Sequence, residues 1–155
     1  MTGRLKRELK QNRPFSSIQE EVVLSLMRTA DQLMAPLAEV LREANLSLSQ
    51  YNILRILRGA GDDGLPCGEI TERMVRRDPD LTRLLDRLES RGLVERSRGT
   101  TDRRVVLATI AKEGERLLDS LDEPIKKAMK QALSHMPAAR LKELTELLEE
   151  ARGGE

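Results

Sequence analysis

The chain has 155 residues, enough to bury a core within one compact unit, and 27 Lys and Arg stand against 26 Asp and Glu for a formal net charge of +1. A single cysteine, Cys67, excludes an intramolecular disulfide, and a single histidine, His135, leaves too few soft ligands for a transition-metal site, so neither metal nor cofactor is expected. No apolar run reaches the length of a membrane span and the basic start lacks the apolar stretch of a secretory signal, which makes a cytoplasmic protein the expectation.

The near-neutral total hides segregation. Residues 1 to 15 carry Arg4, Lys6, Arg7, Lys10 and Arg13 against the acid Glu8 and close on Pro14-Phe15, the pattern of a basic flexible arm. Ser17-Ile18-Gln19-Glu20 has the spacing of a capping box. Behind it Ile18, Val22, Leu26, Ala30, Leu33, Leu37, Leu41 and Ala44 recur every three or four residues, which predicts a long amphipathic helix that Pro36 should kink. A second capping box, Ser47 to Gln50, opens a helix with Tyr51, Leu54, Ile56 and Leu57, closed by Gly59 and Gly61. After a Gly/Asp-rich loop a short helix fits Gly68 to Val75. Asp78-Pro79-Asp80 then reads as a helix start, with Asp78 as the N-cap and Pro79 in the first turn, and the helix should run to Ser90 or Arg91 with Leu81, Leu84, Leu85 and Leu88 inward.

Leu93 to Arg98 and Arg104 to Ile110 are β-rich runs around a turn at Gly99 to Arg103, which predicts a hairpin. A helix over residues 112 to 135, bent or broken near Pro124, and a last helix from Pro137 with Leu141, Leu144 and Leu148 complete the order. Between residues 73 and 104 ten arginines face six carboxylates, and the segment contains no lysine, which favours the side chain suited to bidentate and groove contacts.

Helix, short helix, charged helix and hairpin over residues 46 to 111 is the layout of a winged helix-turn-helix. The fold class is therefore mainly α with a small β-hairpin wing, flanked by long N- and C-terminal dimerisation helices over 16 to 45 and 112 to 155. Thr82, Arg83 and Arg87 lie opposite the leucines, where a helix set in a major groove reads base edges. Arg98, Arg103 and Arg104 surround the hairpin tip, which suits a minor groove. Arg83, Arg87 and Arg91 repeat at four-residue spacing, and no acid lies three or four positions from Arg87, so each like-charge pair costs roughly 0.2–0.5 kcal/mol that a phosphate would relieve.

The segment LTRLLDRLESRGLVERSRGTTDRRVVLATIAKEG, residues 81 to 114, resembles the recognition helix and wing of the MarR family of multiple-antibiotic-resistance-type regulators. LSLSQYNILRIL and CGEITERM extend the likeness upstream. The resemblance implies that Thr82 and Arg83 face bases and Arg87 a phosphate. It also implies that Asp102-Arg103-Arg104 is the wing motif in which the Asp holds an Arg in place. It further implies a homodimer joined through its terminal helices that binds double-stranded DNA, usually represses, and often releases DNA to a small anionic or phenolic effector. Two positions depart from the family: Ala111 in IAKEG stands where a Thr or Ser usually caps the next helix, and Pro66-Cys67 stands where a capping Thr is common.

Other readings compete. The arginines taken singly could be a solvated face balanced by nearby acids. Cys67 at a helix start could be a redox switch, although a small half-buried hydrophobe is the commoner role of a lone cysteine. Oxidation-sensing members carry their reactive cysteine near the start of the first long helix, where this chain has none. A winged-helix protein-interaction module without DNA binding is a further alternative. No catalytic residue is expected, because no nucleophile, base and orienting group recur together. With Phe15 and Tyr51 as the aromatic residues, any effector pocket is expected to be aliphatic and Met-lined.

Overall fold

A computed structural model describes residues 3–99, 102 and 104–153. The elements in chain order are α1 (Arg4–Glu8), α2 (Ile18–Glu43), α3 (Leu48–Ala60), a 3₁₀ turn (Gly61–Asp63), β1 (Leu65–Pro66), α4 (Cys67–Arg73), α5 (Leu81–Ser90), β2 (Val94–Arg98), β3 (Val106–Ile110), α6 (Lys112–Ala132) and α7 (Ala138–Ala151).

The basic arm read over residues 1 to 15 is structured in part: Arg4–Glu8 form the short helix α1, and Leu5 is buried beside α2 and the α6–α7 junction. Sequence pattern missed it because one inward leucine among cations carries no periodic signal. At the start of α2 the Ser17 hydroxyl accepts the Glu20 N–H at 3.1 Å. Glu20 reaches back one residue further than the capping-box pattern predicts, taking the N–H and hydroxyl of Ser16 at 2.6 Å each. Those bonds, the Ser16 hydroxyl first, lower the pKa of Glu20. The Ser47/Gln50 box opening α3 is complete, with bonds of 3.1 and 3.0 Å. Pro36 and Pro124 both sit inside continuous helices; neither breaks its helix, so the break allowed for at Pro124 does not occur.

A third strand went unread. Leu65 and Pro66 pair antiparallel with Ala108 and Leu107, which puts β3 between β1 and β2 in a three-stranded antiparallel sheet. Two residues are too few for an alternation pattern, and pairing with β3 alone makes them a strand. β2 and β3 run in register from Val94 opposite Ile110 to Arg98 opposite Val106, so the hairpin is shorter at each start than the expected 93–98 and 104–110.

The core lies in the winged lobe. Leu41 from α2, Ile53, Leu54 and Leu57 from α3, Ile70 from α4, Leu85 and Leu88 from α5, Val94 and Leu118 are fully buried together. Arg58 spans from this lobe to α6 and holds Asp122 through two parallel bonds of 2.9 and 2.8 Å. This pair lowers the Asp122 pKa and raises that of Arg58.

The helical arm is barely covered. Of the apolar stripe predicted on α2 only Leu37 and Leu41 are buried, Ile18, Val22 and Leu26 are exposed, and α7 buries no residue. A 3.6-residue period reports an apolar face without saying what covers it.

Candidate nucleic-acid interface

The charged helix α5 begins at Leu81, two residues later than its sequence start signal suggests. Asp78 does not cap it. Its carboxylate instead accepts the Asp80 N–H at 3.0 Å, a local turn that competes with helix, and the Ser49 hydroxyl at 3.2 Å. Asp80 takes the N-cap position without a side-chain cap bond and lies 3.6 Å from the Arg83 guanidinium. Leu81, Leu85 and Leu88 are buried and Leu84 is half-buried, which leaves Thr82, Arg83, Asp86, Arg87 and Ser90 on the open face. Gly92, with φ of 68°, takes the chain out of the helix into β2.

The three stacked arginines do not share one fate. Arg91 turns back and donates to the carbonyls of Asn45 and Ala44, at 2.6 and 3.1 Å, capping the end of α2. Among the described residues Arg87 makes no ion pair and stays exposed, so the open face keeps an unpaired guanidinium at its centre. The acids on that face are handled from the wing side. Arg96 on β2 bonds Asp86 at 2.6 Å and Glu89 at 2.5 Å, which lowers the Glu89 pKa and raises that of Arg96, through Glu89 first and then Asp86. Sequence reading missed Arg96 as a brace. Its signal is period-two placement: it lies two residues after buried Val94, on the strand face that meets α5.

At the hairpin tip Asp102 accepts the Arg104 N–H on its carboxylate at 2.9 Å and the Val105 N–H on its carbonyl at 3.1 Å. The bond described for its side chain therefore goes to backbone. It shapes the turn from which Arg104 projects. Gly99 donates to the Val105 carbonyl at 2.8 Å and closes the loop. Arg98 and Arg104 are exposed and make no ion pair among the described residues; Arg103 lies outside those residues. Cys67 opens α4, half-buried against the core, where the Thr71 hydroxyl bonds its carbonyl. Both expected missing caps are present as gaps: neither Pro66 before α4 nor Ala111 before α6 supplies a side-chain cap.

A three-helix unit closed by a wing, with an arginine-bearing helix facing out beside an arginine-bearing tip, is a winged helix-turn-helix. The MarR family model matches residues 46–106. The homoprotocatechuate degradative operon repressor of Escherichia coli is 28% identical over 131 residues, covering 84% of this chain and 87% of that protein. The crystal structure of a MarR transcription factor from Planctomyces limnophilus is 40% identical and superposes with a TM-score of 0.67 over 88% of this chain and 98% of that one. NadR in complex with 4-hydroxyphenylacetate is 27% identical, with a TM-score of 0.71 over 92% and 100% of the two chains. The chain belongs to the MarR family of transcriptional regulators. No described helix is long and apolar enough to cross a membrane.

Proposed function

We propose that the protein is a cytoplasmic, homodimeric repressor that binds a near-palindromic operator and releases it to a small acidic effector. The observation that carries this reading is the outward face of α5, with Thr82, Arg83 and unpaired Arg87 beside the Arg98/Arg104 tip. Residues 46–111 serve as the DNA-binding unit and 16–45 with 112–155 as the dimerisation helices. Arg83 reads a base edge from the first turn of α5, Arg87 holds a phosphate, and Arg98, Arg103 and Arg104 follow the minor groove. Chemistry of its own is no part of the role.

Dimerisation is supported by the bare face of α2, where Ile18, Val22, Val23, Leu26, Met27 and Met34 are 40 to 65% exposed. A monomer in light scattering at micromolar concentration contradicts it. Effector response is supported by the ligand bound to NadR, a phenolic carboxylate. A groove of about 540 Å³ along α2, lined by Arg28, His135, Glu8 and Glu21 together with Leu33 and Leu144, has room for a small polar effector.

Selection of bound sequences from random duplex DNA tests the whole reading: a palindrome is expected, with half-sites about one helical turn apart. Arg83→Ala should then lose discrimination at one base pair per half-site, worth about 1–3 kcal/mol. Arg103→Ala should weaken all sequences evenly and flatten the salt dependence. Absence of salt-dependent binding to any duplex would leave the protein-interaction module standing instead.

A further inference from the structure

The turn between α4 and α5 has a surface that none of these assignments uses. Val75 is 93% exposed, the most open large apolar side chain described, and it is followed directly by Arg76 and Arg77. Both arginines are exposed and make no ion pair among the described residues, whereas Arg73 one turn earlier is held by Glu69 at 2.7 Å. An open valine between the two helices of a helix-turn-helix gains nothing from folding.

The turn is nonetheless fixed at both ends. Met74 is buried in the core, and the Val75 N–H donates to the Asn52 side chain on α3 at 2.9 Å. On the far side Asp78 receives the Ser49 hydroxyl at 3.2 Å and the Asp80 N–H at 3.0 Å. Two side chains of α3 thus hold three outward residues just ahead of Asp78-Pro79-Asp80, which lead into α5 at Leu81. A braced segment surrenders little conformational entropy when it meets a partner.

We propose that Val75-Arg76-Arg77 is a preformed clamp on the DNA backbone, with Arg76 and Arg77 on phosphates and Val75 against the adjoining deoxyribose. This rests on the DNA-binding reading above and adds contacts flanking the groove that α5 enters. Such contacts set register and affinity and carry no base preference. Asn52 and Ser49 act as positioning residues for the clamp.

The test compares wild type with Arg76→Ala/Arg77→Ala on two probes, a random-sequence duplex of about 30 base pairs and the duplex recovered by selection with the wild type, across a salt series. Loss of two phosphate contacts should make the slope of log K against log salt shallower by about 1.8, with unchanged base preferences and melting temperature. Arg76→Lys/Arg77→Lys should keep the wild-type slope. Val75→Ser should weaken binding severalfold at an unchanged slope. Lys127→Ala/Lys130→Ala removes the same charge from the far part of α6 and should leave the slope alone.

A wild-type slope in the alanine variant, beside normal binding by the wild type, overturns the clamp and leaves the DNA reading intact. A shallower slope with altered base preferences overturns the backbone assignment. If the wild type itself shows no salt-dependent binding to either probe, the DNA reading fails first.

Discussion

Gly114 should not tolerate even a methyl group. It lies in the first turn of α6, where the helix leaves β3 and passes over the end of β2. A Cβ built there meets the Leu93 carbonyl oxygen far inside contact distance, with the Leu93 carbonyl carbon at 3.2 Å and Ile110 Cγ1 at 2.8 Å. Ordinary carbon–carbon contact is about 3.5–4.0 Å, so Ile110 would have to retreat by roughly 0.7 Å or more. The carbonyl cannot swing clear, because it accepts the Ala111 N–H at 3.0 Å and so forms the corner itself. Overpacking of this kind costs about 1–3 kcal/mol or more, against a gain near 1 kcal/mol from replacing a helical glycine. A net loss of about 2 kcal/mol at the upper end of that range lowers the melting temperature of a chain this long by about 4–8 °C. Gly68 in α4 supplies the control, since a Cβ there meets nothing within 4 Å and Gly68→Ala should stabilise by up to about 1 kcal/mol. Thermal melts of both variants decide the matter. A Gly114→Ala protein melting with the wild type would refute the close-approach account.

Further outcomes follow from other contacts. Ala111→Ser, at an N-cap with no side-chain bond, should add about 1 kcal/mol in chemical denaturation. The Asp122 pKa is lowered mainly by its bond to Arg58, so the stability it contributes is present at neutral pH and disappears as pH falls through that lowered value. Asp122→Asn should accordingly flatten the acid limb of a melting-temperature profile and lower its neutral plateau. Arg91→Ala removes both caps on the end of α2 and should cost about 1 kcal/mol. It should also weaken operator binding with an unchanged salt slope, since this guanidinium is spent on protein carbonyls.

What could be read in advance divides by interaction range. Leu81, Leu85 and Leu88 announce α5 because a helix facing a core must repeat its apolar side, and Ser47 with Gln50 announces α3 because a cap is local chemistry. Leu65-Pro66 carries no such mark, being a strand only through Ala108 and Leu107. Asp78 misled because one carboxylate can serve a helix or a turn, and Ser49, 29 residues away, favours the turn. The arginines show the same division more sharply. Their number and position were plain, but which of them remain available was decided by Ala44, Asn45, Asp80, Asp86 and Glu89.

Pro36 and Pro124 line one shared groove between α2 and α6. Each proline deletes a backbone N–H from its own helix, so both helices that line this groove lack a rung beside it. Each helix is therefore weakest at its own proline, and in α6 that point lies two residues beyond Asp122, which Arg58 ties to the winged lobe. Torque between the winged lobe and the helix ends thus meets two staggered soft points, one in each rod, rather than a single hinge.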